Sequence, residues 1–242
     1  MTAPVFHAPE ISGDVLMLTG TEGHHAATVR RVRPGEEVHL VDGRGTRVEC
    51  SVRAVAPDEV ELAVVRRYVE PAPQPRIVVV QGLAKGDRGE LAVALATEVG
   101  ADEIVPWQAA RSIVVWEGER GQRALRRWRA TAHESAKQSR RAWWPEVPEL
   151  ATTSDIAARL AEAAGAFVLH ESATAPLAAA ALPLTGEVVL VIGPEGGITE
   201  DELAAFGAAG AAPVRLGQSI LRTSTAGAAA VAVVSARTPR WS

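Results

Sequence analysis

The first seventy residues contain short runs in which apolar and polar positions alternate with a period of two. These runs are 37–41 (EVHLV), 47–52 (RVECSV) and 60–65 (VELAVV). Alternation is typical of strands with one buried face, and the Asp42-Gly43 pair between the first two runs favours a hairpin. One short helix is expected to start near Glu22 and Gly23. The pattern predicts a small, mostly antiparallel β-barrel or sandwich.

A proline-rich segment, 70–75 (EPAPQP), separates this region from the rest of the chain. Three prolines in six residues cannot join a central strand or a helix interior, because proline lacks an amide hydrogen. We therefore predict a domain boundary here. The predicted division is 1–70 as the first domain, 71–76 as the linker and 77–242 as the second domain.

Beyond the linker, apolar runs alternate with segments of helical period. The predicted strands are 77–81, 103–107, 167–170, 188–192 and 214–216, and the predicted helices are 87–100, 122–138, 154–164, 199–210 and 223–236. Asp87 with Glu90, and Thr199 with Glu202, have the spacing of capping boxes at helix starts. Strands that alternate with helices predict an α/β fold with a parallel sheet.

The first segment with candidate chemistry is 188–202 (VVLVIGPEGGITEDE), a buried strand that leads into a glycine-rich loop and a capped helix. Gly193, Gly196 and Gly197 allow a ligand to approach the backbone at the carboxyl end of a strand. The loop matches neither GxGxxG nor the GK[ST] ending of a phosphate loop. Glu195 disfavours an anionic ligand and favours a cationic one. A tight strand-to-helix turn without function is the alternative interpretation.

The second segment is 216–227 (LGQSILRTSTAG), a loop between the last predicted strand and the last helix. Ile220 and Leu221 are apolar residues in a loop, which favours contact with a ligand or a cover. Arg222 stands at the helix start, where the helix dipole disfavours a cation. Such a placement favours a functional role, against a buried ion pair or a loop-bracing hydrogen bond. The small residues 226–230 indicate tight packing, within the fold or on a second subunit.

Composition narrows the class of protein. Apolar residues make up 47% and charged residues 22% of the chain, which excludes a largely disordered protein. The single cysteine, Cys50, excludes an internal disulfide and a thiolate metal cluster, and the six histidines lack metal-binding spacing. We expect no bound metal. The single cysteine favours a reducing compartment, and neither a membrane span nor a secretory signal is recognisable, so we expect a cytoplasmic protein.

Charge is distributed unevenly along the chain. Seven arginines and Lys137 against Glu134 give residues 120–141 a charge of +7, so with a net charge of −4 the remainder carries −11. A local basic stretch is what phosphate binding requires, although a solvated helix face in an arginine-rich composition explains it equally well. Lys85, Arg88 and Arg111 lie near predicted strand ends and could also hold a polyanion. Their alternative role is in surface ion pairs, such as Arg88 with Asp87 or Glu90.

Several motifs occur together in a fixed order. They are LAKGDR (83–88), Glu98 with EIVPW (103–107), RSIV (111–114), the Gln138-Ser139-Arg140 turn with PEV (145–147), VIGPEGGIT (191–199) and LGQSILRTSTA (216–226). With GHHAATVRRVRPGEEV and DGRG in the first region, the chain closely resembles the RsmE family of ribosomal RNA uridine-N3 methyltransferases, within the SPOUT class. The resemblance covers almost the whole chain. The pairing of GPEGG with LGxxILRT is its most specific part.

The resemblance implies a fold and a set of site residues. The fold is an N-terminal PUA-like β-barrel domain and a C-terminal SPOUT α/β domain with a deep trefoil knot, an exception to the rule that chains do not knot. S-adenosylmethionine would bind within the knot, in a pocket completed by a homodimer partner. The implied cofactor-binding residues are His170, Ile192, Gly193, Pro194, Glu195, Gly196, Gly197, Leu216, Gly217, Ile220, Leu221, Arg222 and Thr223. The expected RNA-binding residues are Arg30, Arg31, Lys85, Arg88, Arg111, Arg140 and Arg141.

The implied reaction moves a methyl group to N3 of one uridine in 16S ribosomal RNA of the small subunit. The enzyme must deprotonate N3, align it with the methyl group and stabilise the charge that develops on the base oxygens. Arg222 is the expected stabiliser, and Glu195 is a candidate general base whose alternative role is to hold the cofactor. Trp143 and Trp144 could support an unstacked base, against simple packing before Pro145.

The sequence departs from the family at two positions and leaves other functions open. Ser224 stands where the family commonly has Glu, and Lys137 stands where Glu is frequent. A SPOUT methyltransferase acting on a ribose 2′-O is one alternative, and a non-catalytic RNA-binding or assembly factor is another, which Ser224 would suit. A dinucleotide-dependent oxidoreductase is disfavoured by the absence of GxGxxG and of a ribose-binding acid about 20 residues on.

Overall fold

A computed structural model describes residues 3–241 and divides the chain into two compact units. The N-terminal unit comprises the chain up to Ala72 together with Ala136–Trp144, and the C-terminal unit comprises Pro73–Ser135 and the chain from Pro145 onward. The division at Ala72 and Pro73 falls inside the predicted linker. The sequence did not indicate that residues 136–144 belong to the first unit. Among the described residues, no helix has the length and apolarity needed to span a membrane.

The N-terminal unit is built on a five-stranded sheet, as the alternating pattern predicts. Its strands are β1 (Val5–His7), β2 (Val15–Leu18), β3 (Glu37–Val41), β4 (Thr46–Ala56) and β5 (Glu59–Val69), in the order β1-β3-β4-β5-β2. The β1–β3 pair is parallel and the other pairs are antiparallel. Alternate residues of β4, such as Val48, Cys50 and Val52, are buried in the core. The predicted short helix is α1 (Gly20–His24), which continues into a π-helix at His25–Val29.

Residues 136–144 complete this unit by packing against the turn between β3 and β4. The amide of Gly45 donates to Ala142 O (2.9 Å), and that of Trp144 donates to Gly43 O (3.0 Å). A Cβ on Gly43 would lie 3.0 Å from the Trp144 ring, and one on Gly45 would lie 2.7 Å from the Trp143 ring. Both glycines also have left-handed φ values, 73° and 99°. Both turn positions therefore require glycine, because of their φ values and because a side chain would not fit. Trp143 and Trp144 are packing residues of this unit.

The C-terminal unit contains a five-stranded, all-parallel sheet. Its strands are β6 (Arg76–Gly82), β7 (Glu103–Trp107), β8 (Gly165–Leu169), β9 (Glu187–Ile192) and β10 (Ala212–Val214), in the order β10-β8-β9-β6-β7. The helices are α2 (Arg88–Val99), α3 (Gly118–Gln138), α4 (Thr153–Glu162), α5 (Glu200–Ala208) and α6 (Thr223–Ala236). The predicted alternation of strands and helices is confirmed.

Two apolar cores cover the two faces of this sheet. One contains α2, α3 and α6, with Leu125, Trp128 and Val231 among its members. The other contains α4 and α5, with Ile156 and Phe206. Both faces are buried, which explains why the strands read as continuous runs of valine, isoleucine and leucine.

Several local predictions are confirmed and others are wrong. Thr199 and Glu202 form the predicted capping box, and the last helix has the predicted bounds. The box predicted at Asp87 is absent because this residue has a helical backbone (ψ −1°) and its side chain caps nothing; Glu90 pairs with Arg127 instead.

The remaining differences concern where elements begin and end. The last strand ends at Val214 rather than residue 216, since the amide of Arg215 turns to Ala175 O. Helix α3 begins four residues before the predicted Gln122. Helix α4 ends at Glu162, because Ala163 already has an extended backbone.

Candidate active site

Most predicted site residues of the C-terminal unit lie at one edge of its sheet, where the parallel strands end. His170 follows β8, residues 193–197 follow β9, and residues 215–222 follow β10. Because β8 pairs with both β9 and β10, these three segments are neighbours. Lys85 and Arg88 follow β6, and Arg111 follows β7, at the same edge. Ligands bind at this edge in parallel α/β sheets.

The loop after β9 is a tight turn held by close backbone packing. Gly197 has a left-handed φ of 76°, and its amide donates to Pro194 O (2.9 Å). A Cβ on Gly193 would lie 2.8 Å from Ile198, and one on Gly196 would lie 2.7 Å from Arg111 O. The glycines are therefore required by the fold at this place as well as being suited to a ligand. Arg111 also donates to Gly196 O (3.4 Å), which joins the loops after β7 and β9.

Glu195 is held by the loop after β6. Its Oε1 accepts from Arg88 Nη1 (3.0 Å) and from the amide of Lys85 (3.2 Å). Partial burial opposes ionisation, but hydrogen bonds from backbone amides and from Arg88 outweigh it, so the pKa of Glu195 is lowered. The side chain is therefore an anion at neutral pH and a weak base. The arrangement favours a role in holding a cationic group over a role in accepting a proton.

The alternative role given to Arg88, an ion pair, is found in the structure, but its partner is neither Asp87 nor Glu90. Arg88 bonds to Glu195 across a large sequence separation. The ion pair could not be recognised from local spacing, because it depends on β6 and β9 being neighbours in the sheet.

His170 joins the ends of β8 and β10 through its backbone amide, which donates to Val214 O (3.0 Å). Its ring Nδ1 accepts from the amide of Ser172 (3.3 Å) and lies 2.7 Å from that residue's hydroxyl. Since an amide can only donate, the neutral ring carries its proton on Nε2. That N–H is the ring's available donor.

The loop after β10 exposes apolar and cationic side chains. Ile220 is 83% exposed and Leu221 is 38% exposed. Arg222 is the exposed N-cap of α6, and within residues 3–241 its guanidinium has no ion-pair or hydrogen-bond partner. The alternative of a buried ion pair for Arg222 is therefore wrong. The small residues of α6 pack within the unit, since Ala226 and Ala230 belong to its core.

Ser224, the departure from the family pattern, is the second residue of α6 and is 3% exposed. A glutamate at this position would place its charge at a buried helix start. The serine side chain is therefore an internal part of the helix rather than part of an exposed loop.

Two residues that sequence reasoning missed brace these loops. Gln81 is 1% exposed and bonds to Thr223, which in turn bonds to Gly193. Glu202, expected only to cap α5, also accepts from the amide of Ala110 (2.8 Å) in the loop after β7. Gln81 could have been recognised from the sequence, because it is a polar residue at the end of an otherwise apolar strand.

The residues present fit S-adenosylmethionine. A Cβ on Gly217 would meet nothing within 4 Å, so open space adjoins the loop after β10. Exposed Ile220 and Leu221 suit the flat apolar face of a nucleobase, while the anionic Glu195 suits a cationic sulfonium or ammonium group. No group of three or more His, Cys, Asp or Glu suited to a metal occurs in the described part of the chain.

The other predicted RNA-binding residues belong to the N-terminal unit. Arg30, Arg31 and Arg140 are exposed, and Arg141 is half-buried. Arg31 and Arg140 both have left-handed φ values, 53° and 57°. Such a conformation is uncommon for a bulky residue and costs about 1 kcal/mol or more, which marks both as functional candidates. The basic stretch 120–141 is thus divided, with residues up to Ser135 in one unit and the rest in the other.

Comparison with known proteins gives a consistent result. A family model for an RNA methyltransferase domain matches residues 70–235, and one for an RNA methyltransferase PUA domain matches residues 18–65. The ribosomal RNA small subunit methyltransferase E of Mycobacterium tuberculosis is 47% identical, over 100% of this chain and 94% of that protein. The protein of the same name from Bacillus subtilis is 30% identical, over 91% of this chain and 90% of that protein.

A solved structure carries the same name. The crystal structure of a ribosomal RNA small subunit methyltransferase E from Neisseria gonorrhoeae, bound to S-adenosyl methionine, is 26% identical with a TM-score of 0.86. The match covers 98% of each chain. The predicted combination of a PUA-like domain with a methyltransferase domain is confirmed. The chain belongs to the ribosomal RNA small subunit methyltransferase E family.

Proposed function

We propose that this protein uses S-adenosylmethionine to methylate N3 of one uridine in 16S ribosomal RNA of the small subunit. The observation that carries the proposal is that the GPEGG loop follows β9 and the LGxxILRT loop follows β10, the two strands that flank β8 at the same sheet edge, and that Thr223 bonds to Gly193 O. The full-length match to relatives of this name, one of them solved with S-adenosyl methionine, supports it.

The roles of individual residues follow from their surroundings. When bound, S-adenosylmethionine supplies a methyl group that is already electrophilic. Glu195, an anion held by Arg88, holds the cationic part of the cofactor rather than removing the uridine proton. The exposed guanidinium of Arg222 is available to the base oxygens as negative charge develops on them. His170 offers its Nε2 proton at the same sheet edge.

RNA is held by cations of both units in this proposal. At the edge of the parallel sheet, the residues that bind RNA are Lys85, Arg88 and Arg111. In the N-terminal unit, they are Arg30, Arg31, Arg140 and Arg141. The division into an RNA-binding domain at 1–70 and a methyltransferase domain at 77–242 belongs to the proposal too. The strained backbones of Arg31 and Arg140 are its structural support in the N-terminal unit.

We also propose a trefoil knot, a homodimer and a cytoplasmic location. The bond from Thr223 at the start of α6 to Gly193 O (2.7 Å) supports threading of the last loop against the loop after β9. Exposed Ile113, Val115 and Ile220 in the edge loops support burial by a second copy. Sedimentation equilibrium would test the dimer, and a monomer at all concentrations would contradict it. Small-subunit RNA as substrate supports the location.

Titration calorimetry of the purified protein with S-adenosylmethionine, with NAD as control, tests the cofactor. We expect binding of the first and none of the second. Methyl transfer would then be measured on naked 16S RNA and on small subunits from a strain that lacks the enzyme, and the modified atom mapped by mass spectrometry of nucleosides. A product methylated on the ribose 2′-O would overturn the assignment to N3. No cofactor binding by the folded protein would favour a non-catalytic RNA-binding role.

A further inference from the structure

A buried hydrogen-bond chain joins three segments of the C-terminal unit. Gln81 lies near the end of β6 and is 1% exposed, and Thr223 begins α6 and is 8% exposed. Gln81 Nε2 donates to Thr223 Oγ1 (2.8 Å) and to Gly82 O (3.1 Å). Thr223 Oγ1 donates to Gly193 O (2.7 Å), the first residue of the loop after β9. One side chain thus links β6 to the start of α6 and to the glycine-rich loop.

The donors and acceptors of this hydrogen-bond chain can be assigned in only one way. A primary amide has two hydrogens, and Gln81 uses them on Gly82 and Thr223. A hydroxyl has one hydrogen, and Thr223 gives it to Gly193. The opposite amide orientation would turn Gln81 Oε1 towards the carbonyl of Gly82, so that two acceptors would face each other. The geometry therefore fixes the orientations of the Gln81 amide, the Thr223 hydroxyl and the Gly193 carbonyl relative to one another.

The surroundings of this hydrogen-bond chain are closely packed. A Cβ on Gly82 would lie 2.7 Å from the Pro194 nitrogen. A Cβ on Gly227 of α6 would lie 3.3 Å from Val79 and 3.7 Å from Gln81 Oε1. In such packing a polar group that lacks its partner costs free energy, because water cannot replace the missing bond.

We propose that Gln81 is a positioning residue for the cofactor pocket. Acting through Thr223, it fixes the Gly193 carbonyl and therefore holds the loop after β9 against the start of α6. A pocket ordered before binding loses less conformational entropy when the ligand enters, so its affinity is higher. The proposal rests on the proposed function, since it concerns affinity for S-adenosylmethionine.

Two substitutions break the chain at different links. Gln81→Met keeps the volume but removes both donors, and Thr223→Val keeps the shape but removes the hydroxyl. Each is expected to weaken S-adenosylmethionine binding about tenfold, the effect of one lost hydrogen bond. Because both act on one chain, the double variant should be about as weak as either single variant rather than a hundredfold weaker.

Thr238→Val is the matched control. Thr238 is 7% exposed just beyond the other end of α6, and its hydroxyl donates to Val234 O (2.8 Å). This variant loses a buried threonine hydroxyl of the same kind, but one that does not reach the loops. Its melting temperature should fall as much as that of Thr223→Val, while its dissociation constant for S-adenosylmethionine stays within about twofold of the wild-type value.

The measurements are the dissociation constant by calorimetry, the melting temperature, and the separate KM values for S-adenosylmethionine and RNA. We expect Gln81→Met to raise the KM for S-adenosylmethionine and to leave the KM for RNA unchanged. Wild-type cofactor affinity together with a lowered melting temperature would make Gln81 purely structural and overturn the proposal. If Gln81→Met does not fold, wild-type affinity in folded Thr223→Val overturns it instead. Failure of the wild-type protein to bind S-adenosylmethionine would overturn the proposed function, and this inference with it.

Discussion

The two ends of the parallel sheet differ in how completely their arginines are paired. At the amino ends of the strands, Arg159 donates to Glu103 (2.7 Å) and to Glu187 (2.8 Å). Arg76 donates to Glu187 there as well (3.0 Å). At the carboxyl ends, Arg88 pairs with Glu195, but Arg222 is exposed and has no ionic partner among residues 3–241.

The difference separates charges that stabilise the fold from charges available to a ligand. Burial opposes the charged form of Arg159, but hydrogen bonds and charge from Glu187 and Glu103 outweigh it, and its pKa is raised. Arg159 already uses four of its five N–H donors on these two carboxylates, so little of the group is available to RNA or cofactor. Exposure and lack of a partner, rather than charge alone, distinguish the candidate functional arginine.

The largest expected effect is that of Arg222→Ala on catalysis. Removing a group that stabilises charge in the transition state should lower kcat about 10²- to 10³-fold and leave the dimer and most of the cofactor affinity intact. Single-turnover methyl transfer to small-subunit RNA is the measurement. Arg215→Ala, at an exposed arginine of the same loop, is the control. Wild-type turnover of the Arg222 variant would remove this residue from the mechanism.

Arg159→Met should have its effect on stability instead. Glu103 and Glu187 would keep Arg76 but lose the arginine that binds both of them most extensively, so the free energy of unfolding should fall by about 3 kcal/mol in urea titrations. Arg53→Met breaks an exposed pair with Glu61 in the N-terminal unit and should cost under about 1 kcal/mol. Equal losses in the two variants would contradict the assignment of Arg159 to stabilising the fold.

The comparison between structural and ligand-binding arginines also applies to RNA binding by the basic stretch 120–141. Arg140→Ala with Arg141→Ala should weaken binding and reduce the slope of log K against log salt by about one to two. Arg120→Ala with Arg126→Ala is the matched pair in the C-terminal unit, where both arginines are exposed on α3. An unchanged salt slope after the first double substitution would place the RNA contact elsewhere.

The smallest expected effect is a difference in acid sensitivity. Burial opposes the charged form of Glu187, but hydrogen bonds from Arg159 and Arg76 outweigh it and lower its pKa below the ordinary 4.5. Its stabilisation is therefore present above the ordinary, unfolded-state pKa and is lost as pH falls through the lower folded value. Glu187→Gln should lose less unfolding free energy than wild type between pH 7 and pH 3. Identical losses of unfolding free energy in the variant and the wild type would mean that other carboxyl groups determine the acid sensitivity.

Local patterns predicted much of this molecule. Strand alternation, the Thr199–Glu202 capping box and the bounds of α6 depend on neighbouring residues, and these predictions are confirmed. The two glycine-containing loops were also recognised, because glycines at strand ends are a local signal. Both loops lie at the predicted edge of the sheet.

Features that depend on distant parts of the chain were not predicted. The bond from Gln81 to Thr223 joins residues that are far apart in sequence, and so does the pairing of Arg88 with Glu195. The Asp87 cap failed for a different reason, since the backbone there takes a helical ψ despite favourable side chains. Spacing along the chain contains no information on these contacts.

The docking of residues 136–144 on the β3–β4 turn has a consequence for synthesis of the protein. The N-terminal unit is interrupted in sequence, so its sheet leaves the ribosome well before the segment with Trp143 and Trp144 that completes it. At a synthesis rate of about 5–20 residues per second, the strands of the N-terminal sheet are made several seconds before residues 136–144. During that interval the glycines of the turn face solvent instead of indole rings. Folding of the first unit can therefore finish only after much of the second has been made.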